Sequence, residues 1–201
     1  IFFVGLRAYF PNKKERSQIK IREGFLIVAI FWFVLSFFGA IPFLMDESLK
    51  FSLVDAVFES ASGWTTTGAT VVSNIDNLNK PLLLYRQLLQ WLGGIGIVVL
   101  VLAILPILGV GGMYLYKAET SSPVKDNKLS PRITETAKSL WGVYIVLTIA
   151  CAVLYKIAGM SYFDAIGHSF STVSIGGFST HDASIGFYSS DLIKIICMVF
   201  M

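Results

Sequence analysis

The chain has 201 residues, 55% hydrophobic and only 14% charged, with a mean hydropathy of +0.70 and a formal net charge of +3. A soluble domain carries about 25% charged residues, so this balance excludes a soluble enzyme and a disordered tail. A nucleic-acid partner is excluded too, because the positive charge is too small and too dispersed.

In chain order, residues 1–6 are apolar and run into segment 7–23, which holds six Lys or Arg. No basic stretch precedes the apolar start, so it does not read as a signal peptide. With the chain stopping in the apolar run 195–201, the expectation is an internal piece of a longer membrane protein. Charge-free runs cover 24–45, 87–116 and 139–155, of 22, 30 and 17 residues. About 20 helical residues cross a hydrocarbon core of roughly 30 Å, so each run predicts a membrane-spanning helix. The long run is expected to end near Pro106, Gly109, Gly111 and Gly112, all of which weaken helix. Cys151 and Cys197 lie in apolar runs, which argues against a disulfide framework or a metal site.

Charge sets the sidedness. Segment 117–138 holds five basic residues, and the two remaining connections together also hold five. Positive residues stay in the cytoplasm, which places 7–23 and 117–138 inside. The balance is then +6 inside and −3 outside. An acidic outer vestibule would concentrate cations, although the same acids read equally well as solvated loop charges. The expected organisation is the end of a preceding transmembrane helix plus a basic cytoplasmic loop (1–23), a first repeat (24–108), a cytoplasmic connection (109–138) and a second repeat cut in its last helix (139–201).

The repeat is visible at an offset of 109 residues, without a gap. Trp32 falls on Trp141, Asp55 on Asp164, Ser60 and Ser62 on Ser169 and Ser171, Gly68 on Gly177, and Thr70 on Ser179. In each copy an amphipathic segment follows the first span. Segment 52–62 would reach about 17 Å as helix, half a bilayer. Ser52 and Ser161 suit N-caps, with Asp55 and Asp164 completing a variant capping box. The helix C-terminus, with its partial negative charge, then points to the membrane centre. It is followed by Thr65-Thr66-Thr67-Gly68-Ala69-Thr70 in one copy and Ser174-Ile175-Gly176-Gly177-Phe178-Ser179 in the other. Non-helical backbone at that depth is tolerated only in a watery cavity or inside protein, and backbone carbonyls can replace the water shell of K⁺. This is a re-entrant pore-loop design; the alternative is a pair of surface hairpins. The fold class is therefore an all-α membrane protein of tandem helix–pore loop–helix repeats with re-entrant pore helices.

These two stretches, with Ser171-Thr172-Val173 ahead of the second, and Gln90-Trp91-Leu92-Gly93-Gly94-Ile95-Gly96, resemble the Trk/Ktr/HKT superfamily of K⁺ transporters. The resemblance is closest to the membrane subunit of the bacterial Trk system and covers nearly the whole chain. It implies four such repeats around one pore, of which two are present here, the second incomplete. It implies K⁺-coordinating carbonyls at Thr66, Thr67, Ile175 and Gly176, with filter glycines Gly68 and Gly177, whose own carbonyls are secondary candidates. Gly68, where some Na⁺-preferring relatives have Ser, favours K⁺. The resemblance further implies K⁺ as the transported ion with no organic cofactor. It implies a multi-pass protein of the bacterial inner membrane, a homodimer, and a cytoplasmic nucleotide-binding regulatory subunit of TrkA type. No enzymatic site is expected. A Na⁺-coupled transporter of Ktr or HKT type and a non-conducting assembly subunit are the competing readings.

Other residues carry weaker signals. His168 sits where the first copy has Glu59, as a relay, a ligand or a packed polar group. Glu59 tunes the outer field or holds its own loop. Arg86 snorkels or pairs with an outer acid. Gly93, Gly94 and Gly96 suit close helix packing rather than a nucleotide loop. Ser60 and Ser62 with His168 faintly suggest an intramembrane protease, but both serines are duplicated, which one active site does not need.

Overall fold

The computed structural model describes residues 21–108 and 129–201. Segments 1–20 and 109–128, with most of the expected basic loop and connection, lie outside the described residues. All regular structure among the described residues is helical: α1 (Ile21–Gly39), α2 (Ile41–Met45), α3 (Leu53–Trp64), α4 (Lys80–Leu108), α5 (Leu129–Ile157), α6 (Tyr162–Val173) and α7 (Asp191–Phe200). Short 3₁₀ turns occupy Ile75–Asn77 and Ser184–Phe187.

Stretches Phe25–Met45 and Glu135–Ile157 are long and apolar enough to cross a membrane, and only 17% of an apolar 18-residue segment in each is buried within the chain. Phe33 is 74% exposed and Val146 65%. Apolar side chains facing outward in this way suit lipid contact. The first stretch bends between α1 and α2, where Pro42 cannot donate to the preceding turn. The carbonyl of Gly39 at this break accepts the Tyr85 hydroxyl at 2.9 Å.

Two helices start earlier than their apolar runs. α4 begins at Lys80 rather than Gln87, because its first turns face protein, and the polar Arg86, Gln87 and Gln90 are fully buried there. α5 begins at Leu129, ten residues before 139, so the end of the expected cytoplasmic connection is helix. Arg132, Glu135 and Lys138 lie on this extension, where charge stops the apolar run without stopping helix.

Each short helix is wrapped by longer ones. α3 packs between α1 and α4, and α6 between α5 and α4, so α4 is a wall shared by both. Ala40, Phe43, Ala56, Leu82 and Leu89 form the core of the first unit. Cys151, Tyr155, Met160, Ala165, Ile193 and Ile196 form that of the second. A third cluster, Val72, Ile75 and Leu83 with Phe163 against it, joins the two units.

Candidate functional site

The site is built from α3, α6 and the polar stretches that follow them. Ser52 caps α3: its Oγ accepts the Asp55 N–H at 3.2 Å, and Asp55 Oδ2 accepts the Ser52 N–H at 3.1 Å, a full capping box. Ser161 caps α6, its Oγ accepting the Asp164 N–H at 3.1 Å. In each helix an acid thus sits at the positive end, where it is favoured.

Both helices end in the same left-handed turn. The Thr66 N–H donates to Gly63 O at 3.1 Å and the Thr67 N–H to Ser62 O at 2.9 Å. At the equivalent positions the Ile175 N–H donates to Thr172 O at 3.0 Å and the Gly176 N–H to Ser171 O at 2.8 Å. This pairing is the Schellman cap, whose left-handed residue is usually glycine. Here it is β-branched in both copies: Thr66 has φ 55° and Ile175 φ 56°. Such residues avoid this region, and each costs of order 1–3 kcal/mol unless the surroundings over-determine it. Two residues on, Gly68 (φ 76°) and Gly177 (φ 86°) are left-handed as well, while Thr67 and Gly176 between them are not. The six expected site residues therefore fall on two matched stretches of alternating handedness.

The stretches meet. A Cβ added at Gly68 would overlap the Gly176 carbonyl oxygen, and one at Gly177 would lie 4.0 Å from the Gly68 Cα. Among the described residues no hydrogen-bond donor reaches the carbonyls of Thr66, Thr67, Gly68, Ile175 or Gly177. Gly176 differs: its carbonyl accepts Gln90 Nε2 at 2.7 Å.

Behind each stretch the preceding short helix holds the hydroxyl that follows. Glu59, buried on α3, accepts the Thr70 hydroxyl at 2.8 Å and the Val71 N–H at 3.0 Å. His168, buried on α6, pairs with the Ser179 hydroxyl at 3.0 Å and with the Asp164 carbonyl at 3.0 Å. Glu59 also forms a buried ion pair with Arg86, Nε to Oε1 2.9 Å. So Arg86 does not snorkel: it pairs with Glu59, one of the acids expected on the outer side. Its remaining donors go to Thr70 Oγ1 at 3.0 Å and Ser179 O at 3.3 Å, and its guanidinium lies 4.4 Å from the centre of the Phe178 ring.

Other readings resolve on the same geometry. With both ring nitrogens of His168 engaged, neither serves Ser60 or Ser62, whose hydroxyls are buried without a partner among the described residues. Gly93 and Gly94 are packing positions: a Cβ at Gly93 would overlap the Trp64 carbonyl, and one at Gly94 would lie 2.8 Å from the Tyr144 hydroxyl. The outer acids are largely spoken for. Asp76 Oδ1 pairs with His181 Nδ1 at 2.6 Å, Asp182 Oδ1 accepts the Ile75 N–H at 3.0 Å, and Asp164 Oδ1 accepts the Thr180 hydroxyl at 2.7 Å. The first two contacts form a clasp between the loops of the two copies, and the third holds the second loop to its own short helix. Gln90 entered the sequence reading only as part of the Gln90–Gly96 motif, without this contact; the signal for it was a second amide one turn after Arg86, on the same face of an apolar helix.

The comparisons with known proteins agree with this picture. The family model described as "TrkH: Cation transport protein" matches residues 1–201. The Trk system potassium uptake protein TrkH of Halomonas elongata is 59% identical over 98% of the chain, which covers 41% of that relative. Its namesake in Escherichia coli K12 is 58% identical over 98% of the chain, again 41% of the relative. The crystal structure of the potassium transporter TrkH from Vibrio parahaemolyticus superposes with a TM-score of 0.82 at 52% identity, over 98% of this chain and 39% of that one. The chain therefore spans about two fifths of the length of these relatives. It belongs to the TrkH family of cation transport proteins.

Proposed function

We propose that this chain is part of a K⁺ uptake pore of the bacterial inner membrane, in which the stretches after α3 and α6 are two strands of a carbonyl selectivity filter. The observation that carries the reading is the duplicated left-handed turn, whose neighbouring carbonyls, Gly176 apart, meet no donor among the described residues. Free carbonyls can replace the hydration shell of a cation, and weak multi-site binding lets it leave again. Thr66, Thr67 and Ile175 supply such carbonyls, with Gly68 and Gly177 beside them. Gly176 supplies the lone pair that Gln90 leaves. The C-terminal ends of α3 and α6 add partial negative charge at the same place. The relatives named for potassium uptake support K⁺ as the ion.

On this reading α3 and α6 are re-entrant pore helices, and residues 24–108 and 139–201 are two of four repeats around the pore. The complete protein is a multi-pass homodimer with a TrkA-like regulatory subunit on its basic face, and it transports K⁺ without catalysing a reaction or holding an organic cofactor. The test is Rb⁺ uptake by a K⁺-transport-deficient cell expressing the full-length protein. Gly68→Ser should leave uptake measurable and lower the K⁺ over Na⁺ flux ratio in liposomes. An unchanged ratio removes the filter assignment.

A further inference from the structure

We propose that Arg86 and Gln90 are positioning residues for ion selectivity: one face of α4, a helix of the first copy, splints the filter strand of the second. The proposal rests on the filter reading above. Both side chains are fully buried, one helical turn apart. Gln90 grips the second strand from both sides of Gly177, donating from Nε2 to Gly176 O at 2.7 Å and accepting the Phe178 N–H at Oε1 at 3.0 Å. Arg86 continues the row, donating from Nη1 to Ser179 O at 3.3 Å and lying against the Phe178 ring. Its Nη2 reaches Thr70 Oγ1 and its Nε reaches Glu59, both in the first copy. One guanidinium therefore ties the two strands together beyond their left-handed glycines.

The chemistry suits the task. The strand carries left-handed residues at 175 and 177, no regular ladder runs along it, and such backbone persists only where neighbours over-determine it. A primary amide carries a donor and an acceptor side by side on one neutral planar group, so it can donate to a carbonyl and accept from an N–H two residues later. Arg adds several fixed donors that Lys lacks. The splint is also specific to this junction. At the 109-residue offset Arg86 corresponds to Ile195 and Gln90 to Val199, neither of which can hydrogen-bond. The second copy's helix cannot do for a following strand what α4 does here.

The experiment uses the full-length protein reconstituted in liposomes, reading the K⁺ over Na⁺ permeability ratio and the amount of folded protein recovered. Gln90→Met keeps length and volume but loses both hydrogen bonds, and should lower the ratio roughly tenfold at normal recovery. Arg86→Lys keeps the charge opposite Glu59 but not the fork, and should lower it about threefold. Where Gln90→Met is not recovered, Gln90→Asn, whose amide falls one methylene short, carries the same expectation. Poor recovery with a wild-type ratio in the protein that is recovered means a structural role only and overturns the proposal, as does a wild-type ratio at normal recovery. Gly68→Ser, run alongside, separates the two readings. If it lowers the ratio and the Gln90 variants do not, the filter stands and the splint falls. If it leaves the ratio unchanged, the filter reading itself has failed.

Discussion

In the first copy the hydroxyl beyond the left-handed turn, on Thr70, is held by a carboxylate; in the second, the hydroxyl of Ser179 is held by an imidazole. The backbone around them is otherwise duplicated, down to the φ of Thr66 and Ile175. The difference follows from what faces each of the two short helices, α3 and α6. Glu59 looks at Arg86, whereas the 109-residue offset places Ile195 at the equivalent position. A carboxylate at 168 would be a buried charge without a partner, which is costly. Histidine makes the same hold as a neutral group. The two copies thus conserve the turn and the hydroxyl it needs, while the side chain that grips the hydroxyl changes with the charge behind it.

Removing each gripping residue should break this equivalence most visibly. Glu59→Ala leaves Arg86 buried and unpaired, and breaking such a pair costs about 3–5 kcal/mol. His168→Ala removes hydrogen bonds but strands no charge, and should cost about 1–3 kcal/mol. Thermal unfolding of the full-length protein in detergent measures both. Equal losses would show that Arg86 does not depend on Glu59 for compensation.

A smaller asymmetry separates the two glycines. Gly68 and Gly177 share a left-handed φ, for which an L residue costs about 1–2 kcal/mol. Only at Gly68 would a Cβ also overlap backbone, the Gly176 carbonyl. Overpacking of that kind adds about 1–3 kcal/mol. Gly68→Ala should therefore reduce both stability and Rb⁺ uptake more than Gly177→Ala. If Gly177→Ala is the more damaging, the two strands do not meet as described.

What could be read before the structure divides along physical lines. The apolar runs, the caps at Ser52 and Ser161 and the repeat were legible because each is a local pattern: hydropathy over a window, a hydroxyl three residues from an acid, residue types recurring at one spacing. Helix starts were misplaced where protein rather than lipid surrounds the first turns, as at Lys80, because hydropathy cannot tell a buried amide from an exposed one. The partner of Arg86 could not be chosen from sequence, since Glu59 lies 27 residues away and only packing of α3 on α4 brings the two together. The role of Gln90 needed the fold of the other copy, 86 residues on. The donor to the Gly176 carbonyl was hidden for the same reason: it comes from a different helix.

The clasp between the two loops is a further link between the copies, and acid should weaken it. Asp76 sits in the loop after the first strand, exposed, with its carboxylate against His181 Nδ1 at 2.6 Å from the other copy's loop. The His181 hydrogen bond, then the Asp182 N–H, hold its pKa below the ordinary 3.8. A carboxyl whose pKa is lowered on folding contributes stability above its unfolded value and loses it as pH falls through the folded one. The contribution of Asp76 is thus intact at neutral pH and lost only below about 3.8. His181 also lies 3.7 Å from Asp164, and its ring stacks on Phe187 at 3.7 Å, so the loop keeps other anchors. Asp76→Asn should therefore change thermal stability little at neutral pH and reduce the further loss seen on going to about pH 3. The mutant and the wild type losing the same amount on acidification would show that Asp76 does not couple the two loops. A loss of Rb⁺ uptake in Asp76→Asn at neutral pH would show the clasp reaching the stretches around Gly68 and Gly177, and would make these loops part of what the two copies share.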